Sequence, residues 1–418
     1  MNKILRISFK LLIIIIISCK ENRTESIPII EIEKNIDNFK LFKLGDFDYK
    51  LDYIVLESTP DAMLMDIRFI DISGDYIVVS DRDKCLLFDR SGKFISKIGS
   101  QGRGPGENIA FTQVKIYNEK IFLPDGLSNV MNIFNVYGEF INTLKSPGDF
   151  WVLNSNSWMP VTDSTFLVHV PNHTGNEGSR VVLIDNNGDI LQKYANTTFY
   201  TNVRDHCIYQ RPATFFKHND NIYFKQLLND TIYQLNNDHL YPIYLFDLGA
   251  YGFSFEYYAL PWELFREKLA DGITIEYLFE TRDYIFVIMN FWRNYPFAFY
   301  RKNYHRPSGL DQYMIIGLFN KPNDEFFLVA PSNVDHQIEP TGIKNDIDGG
   351  INFMPRYAVN DTLIVSWFEA YELKMYVASE AFKNSTPKYP EKKKELEKLA
   401  ASLDENDNPV LMLVKLKE

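Results

Sequence analysis

The sequence is poor in the residues and patterns that announce most enzymes. Its 418 residues include only three cysteines and seven histidines. There is no HExxH, so the helical zinc site of metalloproteases is excluded, and His169 and His173, four apart, are separated by Pro171. There is no GxSxG nucleophile elbow and no Gly-Lys-Ser/Thr phosphate loop. Trp-Asp never occurs, which removes the signature of the commonest β-propeller repeat. Basic residues are outnumbered, giving a formal charge of −11. An acidic chain without a basic stripe has no means of displacing counterions from a phosphate backbone, so nucleic acid is not an expected partner. The longest purely apolar run, Leu11 to Ile17, is far short of the ~20 residues a helix needs to cross a bilayer.

What is present is material for strands. Hydrophobic residues make up 45% and aromatics 15%, including 25 Tyr and 32 Phe. Such a composition suits a β core and leaves little room for global disorder. The amino terminus is set apart. Lys3, Arg6 and Lys10 precede the apolar run, which ends at Ile16-Ile17-Ser18-Cys19, the order of a secretory signal. This junction resembles the lipobox of bacterial lipoproteins, and the resemblance implies that residues 1–18 are a signal peptide and that Cys19 becomes the lipidated first residue. Multiple acyl chains would then anchor the protein durably to a membrane. Lys20-Glu21 after the cysteine resembles lipoproteins of an outer membrane, leaving periplasmic and surface-exposed orientations both open. Residues 19–50 are expected to form a tether and N-terminal segment. Cys85 and Cys207 remain, either bridged in an oxidising compartment or, because Cys85 sits in an apolar strand, with that thiol buried and free.

The organising stretch runs from Ile67 to Glu107. Tyr76–Val79, Cys85–Phe88 and Phe94–Ile98 are short apolar runs, each followed by turn residues, as in a small antiparallel sheet. The unit Leu87-Phe88-Asp89-Arg90-Ser91-Gly92-Lys93-Phe94-Ile95 recurs as Ile133 to Ile141, and again as Leu183 to Leu191. Its glycines, Gly92, Gly138 and Gly188, are spaced by 46 and 50 residues. A period of that length marks a repeated supersecondary unit. Asp89 is suited to capping turn amides and Gly92 to a positive φ.

Beyond residue 200 the repeat fades but strands continue. Ile222–Phe224, Thr231–Leu235 and Tyr244–Phe246 suit a fourth sheet. Ile285–Ile288 with Phe297–Tyr300 suits a fifth, and Leu363–Ser366 with Leu373–Tyr376 a sixth. Helices are expected over Tyr257–Ala270 and Pro390–Leu403. Val410–Val414, or the run near Tyr53, should pair with a strand from the other end of the chain to close the ring. The expected fold is all-β: a six-bladed propeller of four-stranded antiparallel blades over residues 51–418.

Several of these elements together, the FDxxGKF turn, Gly99 to Glu107, Asn229 to Tyr233, Asp346 to Gly350 and Asn408 to Leu411, resemble the six-bladed propeller lipoproteins of Bacteroidota. Those folds are related to NHL-repeat and TolB-like propellers. The resemblance implies a fold and a cell-envelope address rather than an activity.

Candidate sites follow from the architecture. Gly99 to Glu107 reads as a crossover between blades in which Glu107 anchors the loop and Arg103 is available to an anion at the rim. Trp151, Trp158, Trp262 and Trp292 are candidates for stacking platforms at a propeller mouth, with packing between blades the alternative. Arg204, Arg211 and Arg293 are candidates to face the channel. Asp346 and Asp348 lack the order of a calcium loop, and Gly349-Gly350 points to a turn. No catalytic set, metal site or cofactor is indicated. The leading expectation is a lipid-anchored extracytoplasmic binding module for a glycan, peptide or envelope protein. Its rival is a metal-dependent propeller lactonase or polysaccharide lyase, and a purely structural envelope lipoprotein is a third reading.

Overall fold

The computed structural model describes residues 27–47, 49–145, 158–172, 175–201, 213–236, 239–254, 256–257, 260–291, 314–330 and 342–416. The strands form a six-bladed β-propeller. Blades I, II and III each take four consecutive antiparallel strands: Phe69–Ser73 to Phe94–Lys97, Lys115–Tyr117 to Phe140–Lys145, and Trp158–Thr162 to Ile190–Ala195. Blades IV and V run from Ala213–His218 to His239–Asp247 and from Ile273–Glu280 to Glu325–Val329. Blade VI is assembled from both ends of the chain, in the order Tyr357–Ala358, Leu363–Phe368, Val410–Leu416 and Tyr49–Val55. Val410 to Leu416 pairs antiparallel with Val55 to Tyr49, so this seam closes the ring.

The apolar runs are continuous because each blade is buried on both faces. In blade I, Ile77, Val79, Leu86 and Phe88 pack against blade VI, while Val78, Cys85 and Leu87 pack against blade II. That is the two-residue alternation of a strand with a hydrophobic neighbour on either side. Six clusters of this kind fill the six seams.

The recurring turn is an interblade latch. Asp89 Oδ1 accepts from the Ser91 and Lys93 amides at 2.8 and 3.0 Å. Asn135 and Asp185 make the equivalent pairs of bonds. Gly92, Gly138 and Gly188 all have φ between 82° and 89°. Each glycine also lies against the outer strand of the preceding blade. A Cβ at Gly92 would sit 2.0 Å from the Val55 carbonyl oxygen, and at Gly188 it would sit 2.3 Å from that of Lys145. The Glu57 amide donates to the Gly92 carbonyl and the Glu57 carboxylate accepts from the Phe94 amide, both at 2.8 Å.

The N-terminal segment is more than a tether in the described residues. Ile29–Glu31 adds a parallel fifth strand to the outer edge of blade IV, and Phe39–Lys40 does the same for blade V. Leu44 then enters the core between blades V and VI. Asp346 accepts from the Gly45 amide at 2.7 Å, and Asp348 accepts from Tyr53 Oη, the Asn345 side chain and the Gly350 amide at 2.7–2.8 Å. These two carboxylates tie the N-terminal segment to the stretch that leads into blade VI.

One expected strand is a helix. Leu373–Tyr376 lies within the helix Ala370–Ala378, which a Glu369/Glu372 capping box starts. Leu373 is buried one turn before the half-buried Tyr376 and Val377, a helical spacing, and the third strand of blade VI comes instead from Val410–Leu416. The other two expected helices are present, at Trp262–Asp271 and Pro390–Ser402. Phe297–Tyr300 lies outside the described residues.

Candidate functional site

The innermost strands of the six blades surround an axial cavity of about 490 Å³. Each inner strand is entered from the link between two blades and left through a hairpin, so links gather at one end of the channel and hairpins at the other. A volume of this size is in the range that accepts a small organic ligand.

At the link end, the Arg356 guanidinium lies over the Trp367 ring, 4.9 Å from its centroid, and Asp66 and Arg68 line the same opening. Glu369 follows the strand that carries Trp367. Burial raises its carboxyl to about 7, the charges of Glu372 and Asp66 add to the effect, and Arg356 opposes it. Asp66 is also raised, chiefly by burial. A cation stacked on an aromatic, beside carboxyls reluctant to ionise, gives this mouth both flat apolar area and polar groups.

Toward the hairpin end, Asp71, Lys115 and Tyr357 meet across three blades. Asp71 accepts from the Tyr357 hydroxyl, and from the Ile116 and Ile72 amides at 2.7 and 3.1 Å. Lys115 Nζ stands 3.9 Å from the same carboxylate and 3.5 Å from Tyr357 Oη. Burial, then the charge of Asp71, holds the Tyr357 hydroxyl well above its ordinary range. Lys217 reaches in from blade IV with Nζ 5.5 Å from the centre of the Tyr117 ring. Burial lowers its ammonium, Asp220 counters this, and Lys115 lowers it further. Glu280 is paired with Lys321 at 3.1 Å, and Asp361 accepts from the Asn219 amide at 2.9 Å and lies 3.2 Å from His218 Nδ1.

The residues expected from the sequence fare unevenly. Arg103 is exposed in the link between blades I and II. Glu107 holds that loop by accepting from the Gly104 amide at 2.7 Å, while its own carbonyl accepts from Asn132 at 2.9 Å. Trp158 is 3% exposed and packs edge-on against Phe122 and Phe166 between blades II and III. It is a core residue there, with no ring face open to a ligand. Trp262 opens the helix before blade V, but its side chain lies outside the described residues, as do Cys19, Trp151, Arg204, Cys207, Arg211, Trp292 and Arg293. Cys85 is buried and free, and burial pushes its thiol up. Among the described residues no three His, Cys, Asp or Glu side chains gather as a metal site.

The channel residues Asp71, Lys115, Lys217, Arg356 and Trp367 were not singled out from the sequence. The signal was there in Phe-Ile-Asp-Ile, Val-Lys-Ile-Tyr and Phe-Phe-Lys-His: an ionisable group inside a strand that otherwise belongs to a core.

The chain resembles known structures to different degrees. A protein of Bacteroides fragilis described as a "putative exported protein" superposes with a TM-score of 0.66 at 17% identity, covering 94% of this chain and all of that one. A DUF4221 member from Bacteroides vulgatus gives 0.47 at 11% identity, over 88% and 98% of the two chains. An inactive virginiamycin B lyase from Staphylococcus aureus gives 0.40 at 10%, over 88% and 100%. No curated protein matches the chain. With residues 27–415 matching end to end, nearly the whole propeller and its N-terminal segment, the chain belongs to the DUF4934 family, a domain of unknown function.

Proposed function

We propose that the protein is an extracytoplasmic, lipid-anchored binding module that holds its ligand at the link end of the axial channel. The observation that carries this reading is the Arg356–Trp367 stack at the opening of a channel to which all six blades contribute. An Arg over an indole offers a flat surface with charge at its edge, the combination that recognises sugar rings and peptide side chains. Arg103, exposed on a link at the same end, is assigned to the rim of this surface. The lipobox-like Ile16-Ile17-Ser18-Cys19 supports the anchor, and the description of the Bacteroides fragilis protein as exported agrees with an address outside the cytoplasm.

The full-length protein, purified in detergent, is to be screened against glycan and peptide arrays. A hit in the channel should weaken at least 10-fold in Arg356→Ala and in Trp367→Ala, with unfolding midpoints near that of the parent. A hit indifferent to both substitutions would remove this mouth from consideration. The anchor is tested separately by metabolic labelling with a palmitate analogue, which Cys19→Ala should abolish.

A further inference from the structure

The hairpin end of the channel carries a second feature, which rests on the same reading of the channel as a ligand site and names the chemistry of the ligand. Three ammonium groups line the cavity: Lys225 is bound to the Gln226 and Leu227 carbonyls, whereas Lys115 and Lys217 face it from blades II and IV, and the carboxylates around them are already engaged, Glu276 by the Thr274 hydroxyl. Asp71, the partner of Lys115, accepts from Tyr357 and from two backbone amides, all at closer range than the 3.9 Å to Lys115. Glu280 pairs with Lys321, and Asp361 binds the Asn219 amide beside His218. Asp220 influences Lys217 only at a distance. Lys217 Nζ has no side-chain hydrogen bond or ion pair among the described residues, and it lies over the face of Tyr117. In a chain with eleven more acidic than basic groups, the channel lining reverses the balance, with Arg68, Lys115, Lys217, Lys225 and Arg356 against Asp66, Asp71, Glu276 and Glu280.

We propose that Lys115 Nζ and Lys217 Nζ together bind one anionic group, a carboxylate, sulfate or phosphate, of a small organic ligand, with the Tyr117 and Tyr357 rings flanking it. Two lysines on separate blades are held near each other by the propeller rather than by mutual attraction. An anion between them removes their repulsion and supplies the acceptor that Asp71 does not. The surrounding apolar and aromatic lining then suits the rest of a ligand that is an anion at one end only.

The test uses the full-length protein in detergent at constant ionic strength, with chloride replaced in turn by inorganic sulfate, inorganic phosphate and glucuronate. Binding is read by isothermal titration and by the shift of the unfolding midpoint. Saturable binding of at least one probe is expected. Lys115→Met and Lys217→Met should each weaken it about 10-fold or more and the double variant should abolish it, while Lys394→Met, on the exposed face of the C-terminal helix, leaves it unchanged. Because Lys217→Met removes a repelled charge, its unfolding midpoint without anion should equal or exceed the parent's, so lost binding is not lost folding. No saturable binding of any probe, or binding that survives in the double variant, overturns the proposal. If the array screen meanwhile yields a neutral ligand sensitive to Arg356 and Trp367, the channel remains a binding site and only its anion chemistry is wrong.

Discussion

Blades I to III and blades IV to VI solve the same packing problem differently. Every blade but the sixth has four consecutive strands, and in the first three an Asx-type turn with a positive-φ glycine latches the blade to the outer strand of its predecessor. In the second three, the N-terminal segment does the equivalent work from outside. It adds a strand to blade IV, then to blade V, then completes blade VI, visiting them in chain order. The first half is therefore held by local contacts repeated three times, and the second by one long-range belt.

Removing the belt is the strongest way to break this comparison. Ile30, Ile32 and Leu44 are fully buried. At about 1.5–3 kcal/mol for each buried aliphatic side chain, deleting residues 27–47 should cost on the order of 5 kcal/mol or more. Hydrogen exchange should show that loss concentrated in blades IV to VI. Uniform loss of protection across all six blades would mean that the two halves do not differ.

The turn glycines sharpen the contrast at a smaller scale. Gly92→Val places a branched side chain at φ +89° and against the Val55 carbonyl oxygen, and should cost about 2–4 kcal/mol in urea unfolding. Gly178→Ala, where a Cβ meets nothing within 4 Å, should change stability by about 0.5 kcal/mol or less.

These same turns explain how much of the molecule was legible. Asp89, Gly92 and their two copies stand at fixed offsets because each turn must cap its own amides and admit a neighbouring backbone, so blades I to III could be counted from the sequence. Blade V closes its last hairpin differently, through a 3-10 turn at Lys321–Asn323, and blade VI has no such hairpin because its last two strands come from opposite ends of the chain. Leu373–Tyr376 reads as a strand in sequence for a related reason: a short apolar run does not distinguish strand from helix, and the true third strand lies beyond two further helices. The closure by Val410–Leu416 was legible, since a ring must seal. The channel residues were not. Lys115 and Lys217 are 102 positions apart, and only the ring brings them together.

An effect smaller than that of Gly92→Val concerns protons, and it falls on the second half. Glu369 in blade VI is raised to about 7, so its contribution is fully present below its unfolded value and is lost as pH rises through 7. The carboxyl is partly open to water, and with that screening Glu369→Gln should raise stability by about 1–2 kcal/mol at pH 8 and by little at pH 4. In blade IV, Lys225 runs the other way. Burial lowers its amine to about 8, which penalises the fold below that pH and relieves it between 8 and the ordinary lysine range. Urea midpoints of parent and Glu369→Gln between pH 4 and 9 should converge toward the acid end. A constant offset would assign the effect to helix capping instead.

The first strand on the rim has a geometric consequence. Ile29–Glu31 is the outermost strand of blade IV, far from the axis. The described chain therefore enters the fold at the rim of the disc rather than beside its bore.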